Sequence, residues 1–387
     1  MRISAAERRR RVGVRHMLAP SARVGDVTEI ASRLVGLHAT DPASVVLSAW
    51  ARSAEPDGVV AALDAALYEQ RSLLRMHCMR RTLFVVPDEL AADLQASTTR
   101  VVSARERASV LKLLAATGPH RDEAWLAEAE DAALKVLARL GTAAASEITA
   151  EVPVLQETVT MSPGKPYEAV SRVGGHVLRL LAMDGRVRRA RPVGGWTSGQ
   201  FTYEIAPPLR DADPAAAQAE IVRRWLACYG PAATEDVKWW TGWTLGAARK
   251  ALAEVGAVAV ELDEGPGWVL PGDEAETGDV EPWAALLPSL DPATMGWKHR
   301  DWYMAPELRP LLFDTAGNGG PTVWWDGEIV GTWAQRDSGE VVWRMLADRG
   351  AGAEAAVAAE AARLEAWLAD RRLRIKFAAP LTRELLS

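Results

Sequence analysis

Between residues 121 and 208 the order of elements constrains the fold more than any other feature of the chain. A long amphipathic helix is predicted over Asp122 to Leu140 and stops at Gly141, and Thr142-Ala-Ala-Ala-Ser-Glu147-Ile begins a short second helix. After the linker Thr160 to Pro166, the spacing predicts a third helix over Tyr167 to Met183. Asp184-Gly185 closes that helix and opens a strand pair, Arg186 to Arg191 and Trp196 to Tyr203, around the turn Pro192-Val-Gly-Gly195. Three helices followed by a basic hairpin is the winged-helix arrangement, a helix-turn-helix variant.

Residues 212 to 272 repeat this order more weakly, with helices over Ala215 to Tyr229, Thr234 to Trp240 and Thr244 to Val255. A hairpin of Val258 to Leu262 and Trp268 to Leu270 follows, turning at Asp263-Glu-Gly-Pro-Gly. That second wing is acidic, which suits packing better than gripping phosphate. Ahead of both repeats, residues 1 to 115 carry helical spacing at Ala5 to Leu18, Val27 to Arg33, Ala43 to Ser53, Val59 to Gln70 and Pro87 to Leu114, with one strand at Met79 to Val86. Behind them, residues 282 to 346 are β-rich, a helix spans Gly352 to Asp370, and a last strand is predicted at Leu373 to Phe377. The expected fold is α+β: tandem winged-helix (helix-turn-helix) modules followed by a small C-terminal β-rich domain, divided as 1–120, 121–210, 211–280 and 281–387.

With 387 residues, 49% hydrophobic and 25% charged, the chain is globular and holds several domains. No apolar run approaches the roughly 18 residues of a membrane span, and the basic start lacks the apolar core of a secretory signal, so the cytoplasm (nucleoid-associated) is the expected location and no membrane partner is expected. Cys78 and Cys228 form neither a disulfide framework nor a zinc spacing, and no nucleotide-cofactor, zinc-protease or esterase motif occurs, so no metal and no cofactor are expected. The net charge of −6 argues against a polyanionic partner only if charges are evenly spread. They are not: arginines gather at Arg2, Arg8 to Arg11 and Arg15, at Arg71, Arg75, Arg80 and Arg81, and at Arg186, Arg188, Arg189 and Arg191, while acidic residues concentrate at 254 to 281.

The polar motif with most chemical potential is Leu37-His38-Ala39-Thr40-Asp41-Pro42. An extended stretch over 37 to 40 puts His38 and Thr40 on one face, and Asp41-Pro42 is an N-cap followed by the first helical position. The helix N-terminus favours neutral over protonated imidazole, so His38 suits a base or a water-positioner; the plainer reading is a capped helix with an incidental histidine. Asp291, which precedes Pro292 after an apolar run, is either a buried cap or a catalytic carboxylate. Among the 16 tryptophans, Trp239, Trp240 and Trp243 recur at helical spacing and are assigned to packing, whereas Trp196, at the basic wing, either packs or stacks on a base.

Leu34 to Pro42, Met79-Arg-Arg-Thr-Leu-Phe84, Leu180 to Gly185, Tyr229-Gly-Pro231, Trp239-Trp-Thr-Gly-Trp243, Leu287 to Asp291 and Gly331 to Gln335, in that order, resemble the AlkZ/YcaQ family of winged-helix DNA glycosylases. The resemblance implies double-stranded, damaged DNA as partner and excision of bulky or crosslinked alkylated purines, in repair or in self-resistance to a genotoxin. Where the family carries Gln, an apolar residue, then Gln or Asp, this chain has His38, Ala39 and Thr40. On that reading His38 and Thr40 handle the attacking water, Asp41 or Asp291 faces the cationic sugar, and Arg80, Arg81, Arg186, Arg188, Arg189, Arg191 and Trp196 hold DNA. A monomer is expected, and a catalytically silent winged-helix DNA-binding protein is the alternative.

Overall fold

A computed structural model describes residues 1–118 and 120–386. Ser4 caps the first helix, Ala5–Arg15, by accepting from the Glu7 amide. Its arginines do not face outward as a basic patch. Arg8 pairs with Glu264 at 2.6 Å, Arg11 and Arg15 with Asp273 at 3.3 and 2.5 Å, and Arg9 with Glu328 at 2.5 Å. The N-terminal basic run and the acidic 254 to 281 stretch therefore neutralise one another across the fold.

After Val27–Arg33 comes the short strand Leu37–His38, followed by the helix Pro42–Trp50. The strand joins an antiparallel sheet whose centre is Leu83–Pro87 and whose far edge is Leu73–His77, with His38 opposite Phe84 and Phe84 opposite Met76. The expected strand over Met79 to Val86 is thus shorter, because Met79–Arg81 is a tight turn. Leu73–His77 escapes a pattern search because Arg75 and His77 occupy its buried face, so the usual apolar alternation is broken.

The helix expected over Pro87 to Leu114 runs from Asp88 to Ala115 with one widened turn at Gln95–Thr99. Glu123–Leu140, Ala145–Glu151 and Val173–Met183 follow. The last of these starts later than Tyr167, since Ala169–Arg172 pairs with Thr158–Met161 as a hairpin. Val187–Pro192 pairs with Phe201–Ile205, so the second strand begins at Phe201 instead of the expected Trp196, and Thr142–Ala144 adds a third strand outside Phe201–Ile205. Next come Pro214–Tyr229, Thr234–Thr241 and Leu245–Glu254, then the hairpin Val258–Leu262 with Gly265–Val269.

A four-stranded meander, Ala284–Leu287, Thr322–Trp325, Glu328–Gln335 and Val341–Met345, packs under the helix Ala351–Leu368. Residues 373 to 377 are no strand; they cross the molecule without a sheet partner and lead into Pro380–Leu386. One large apolar core joins the N-terminal helices, Pro214–Glu254 and the C-terminal meander, while Val110 to Val187 build a second core. No described helix is long and apolar enough to cross a membrane.

Candidate active site and nucleic-acid interface

The motif takes the local form its residues dictate. The Ala39 amide donates to the Leu83 carbonyl at 2.7 Å, holding the strand in place. Asp41 turns its carboxylate back onto the Ala43 amide at 3.2 Å and accepts from Ser44 Oγ at 3.4 Å, and Pro42 opens the helix. The Thr40 amide lies 3.5 Å from His38 Nδ1, a long contact. With Nδ1 accepting there, the ring proton is assigned to Nε2. Thr40 Oγ1 is buried and has no hydrogen-bond partner among the described residues.

His38 is only 5% exposed and leans on Phe84, ring centroids 4.9 Å apart. Burial, with Arg80 nearby as the smaller cause, pushes its pKa down to about 3. The imidazole is therefore neutral, as the helix N-terminus alone suggested, but burial is the principal reason. Burial works against the base role expected of His38 from sequence, because it disfavours the protonated ring a base must form. Asp41 is pushed the other way: burial raises its pKa, opposed by the Ala43 amide, the Ser44 hydroxyl and Lys376.

Beside His38 the turn between two strands puts Arg80 and Arg81 at φ 53° and 66°, left-handed conformations uncommon outside glycine. Gly242, φ 79°, lets the turn sit close; a Cβ there would lie 3.3 Å from Arg80 Cγ. The Arg80 guanidinium lies 4.0 Å from the centroid of Trp239, and Arg300 lies 4.9 Å from the same ring. Neither pairs with a carboxylate among the described residues, and burial plus Arg300 lower the Arg80 pKa to about 10. Arg81 points elsewhere, to Glu106 at 3.1 Å. Neither Trp239 nor Arg300 carries a sequence signal for this role. Helical spacing hides Trp239 among packing tryptophans, while Trp240 beside it is indeed buried.

Asp291 does not join this group. It is fully buried, bidentate to Arg52 at 2.7 and 2.8 Å, and it also accepts from Ser48 Oγ at 2.7 Å and the Ala293 amide at 2.8 Å. Every partner is structural, the geometry of the buried cap. The arginines expected at the wing are also largely spoken for. Arg186 meets Glu130 and Asp131, Arg188 meets Glu204 at 2.5 Å, and Arg191 meets Asp64 and Glu69. Arg189 alone lacks a carboxylate among the described residues and lies over Phe201. Trp196 packs on Trp367, centroids 5.9 Å apart, and with Pro42, Tyr68, Arg75 and Arg191 lines a cleft of about 560 Å³.

Buried neutral histidines make the fold acid-sensitive. His38 is held to about 3 and His77 to about 4, chiefly by burial, whereas in the unfolded chain both titrate near 6.5. Between those values the unfolded state binds more protons, so stability falls as pH drops below 6.5, by up to about 1.4 kcal/mol per pH unit for each histidine. Urea unfolding at pH 7 and pH 5 checks this; equal midpoints at the two values would count against buried neutral imidazoles.

The family model described as DNA glycosylase AlkZ-like matches residues 31–367, and the chain belongs to that family. Among solved structures the fold is similar to Streptomyces sahachiroi DNA glycosylase AlkZ, with a TM-score of 0.71 and 21% identity over 95% of this chain and 98% of that one. No curated protein matches the sequence. Family membership makes DNA the partner.

Proposed function

We propose that this glycosylase hydrolyses the N-glycosidic bond of purines bearing a bulky N7 or N3 alkyl group or a crosslink, in double-stranded DNA. It acts as a cytoplasmic, nucleoid-associated monomer, in repair or genotoxin self-resistance. Residues 121–210 and 211–280 serve as tandem winged-helix modules in this reading, flanked by 1–120 and 281–387. The observation that carries it is a buried, neutral His38 in the same motif as the unpartnered Thr40 hydroxyl, with Arg80 near the imidazole.

N7- or N3-alkylation already makes the purine cationic, so it leaves as a neutral base without a strong acid, a metal or a redox group. As the bond breaks, its electron pair goes to the purine and the sugar becomes oxocarbenium-like. Thr40 Oγ1 holds the water that adds at the anomeric carbon, and His38 Nε2–H donates a hydrogen bond that orients it. Asp41, whose pKa is raised by burial, stabilises the cationic sugar and receives the water's proton. The family's Gln at the first motif position offers a carbonyl acceptor and an NH₂ donor; the Nε2–H tautomer of His38 likewise offers one acceptor and one donor. Arg80 and Arg300, free of carboxylates among the described residues, are suited to backbone phosphates.

The direct test incubates the protein with a duplex carrying a single N7-alkylguanine, then heats in alkali to cleave at abasic sites. Strand breaks at the adduct are expected and none at unmodified guanine. A protein that binds the duplex but leaves the adduct in place is a silent binder, and this reading fails.

A further inference from the structure

The wing was expected to carry the DNA-gripping arginines, yet the structure pairs most of them with carboxylates. Uncompensated positive charge lies instead at the other end of the chain, in Arg371-Arg372-Leu373-Arg374-Ile375-Lys376. None of these four cations is within ion-pair distance of a carboxylate among the described residues. Arg371 and Arg372 donate only to carbonyls, Lys376 only to the Thr40 carbonyl, and Arg374 to nothing described. All four are exposed, while Leu373, Ile375 and Phe377 between and beyond them are half-buried.

That alternation is the pattern of a segment laid flat on the protein with its charges outward. In extended chain, Arg372, Arg374 and Lys376 would recur about every 6.8 Å along one side. The segment is also tied down. The Leu373 amide donates to Gln335 Oε1 at 2.9 Å, and Ser289 Oγ reaches the Phe377 carbonyl at 3.4 Å. Leu373, Arg374 and Ile375 close a narrow crevice against Asp41, Ser44 and Leu47. Its end touches the candidate site itself, where Lys376 Nζ lies 3.2 Å from the Thr40 carbonyl. Arg371 meanwhile enters the cleft shared by Pro42 and Trp196.

We infer that residues 371–376 form a phosphate-gripping strap, which holds the DNA backbone and brings the duplex against the Thr40 and His38 site. The inference rests on the glycosylase reading for its partner and lies outside the residues matched by the family model. A guanidinium or ammonium that meets no carboxylate within the fold gives up less on meeting a phosphate than Arg188 and Arg191, which must first leave theirs. The strap, not the wing, should therefore set most of the salt dependence.

The test measures binding to an unmodified duplex across a salt series for wild type, for Arg374→Gln with Lys376→Gln, and for Arg188→Gln. The strap pair should weaken binding about 10-fold near physiological salt and lower the slope of log affinity against log salt by about 2, close to 0.9 for each phosphate no longer neutralised. Arg188→Gln should change the slope by less than the strap pair does. Arg374→Glu, an exposed reversal, should weaken binding further, and unchanged thermal melting shows that folding is not the cause. An unaltered affinity and slope in the strap pair overturns the strap, as does a wild type that binds no DNA. Excision is scored separately: normal binding without excision sinks the catalytic reading alone, and intact excision with unaltered salt dependence sinks the strap alone.

Discussion

Replacing Asp291 with alanine is expected to destabilise the fold by about 3–5 kcal/mol, the usual cost of removing one partner from a buried ion pair. Arg52 would remain fully buried with only the Ser48 carbonyl at 2.8 Å to receive it, since its Nε already lacks a partner. The pair ties the helix Pro42–Trp50, whose N-terminus carries Thr40 and Asp41, to the loop after Leu287. Loss of the clamp should therefore loosen the candidate site as well as the core. Arg52→Ala should cost a similar amount. Exchanging both residues for apolar ones of similar volume should restore most of the stability, because an ion pair's desolvation offsets much of its attraction. Urea unfolding with excision measured alongside decides the point: Asp291→Ala that unfolds like wild type yet excises nothing would return Asp291 to the chemistry.

His38→Ala is expected to slow excision on the order of 10²-fold, the scale of losing one preorganised donor, while binding to undamaged duplex stays near wild type. His38→Gln should recover most of that rate. A glutamine carbonyl can take the Thr40 amide and its NH₂ can still donate into the site, so both of the neutral imidazole's roles survive. Thr40→Val, which keeps the volume but removes the unpartnered hydroxyl, should lose about 10-fold. With the His38 pKa near 3, the wild-type rate should show no inflection around pH 6.5. An inflection there that disappears in His38→Gln would make His38 a proton acceptor after all, and a Gln variant as slow as Ala would remove the donor role.

Much of the frame was legible because it depends on neighbours in sequence. Asp41-Pro42 announces a cap and a first turn wherever it stands ahead of apolar helical spacing, and the structure has both. Asp184-Gly185 likewise ends one helix and opens one hairpin, as Gly185 at φ 72° requires. Leu73–His77 was not legible, since a buried arginine and histidine break the periodicity by which strands are found. Nor was the crossing of 373 to 377, whose apolar alternation matches a strand but whose backbone meets no sheet.

The residue types and spacing of the chain by themselves determined most helices and their caps, some of the hairpins and the place of a polar motif at a helix N-terminus, all governed by contacts a few residues apart. Tertiary structure alone decided what each charge does. Asp291 and Arg52, 239 positions apart, became a buried pair, and Arg186, Arg188 and Arg191 were claimed by carboxylates. Arg80 and Arg300 came to share the ring of Trp239, and Lys376 arrived at Thr40 from the far end of the chain. A charge's role depends on which opposite charge or apolar surface reaches it in space, and that distance is written in the fold, not in the spacing.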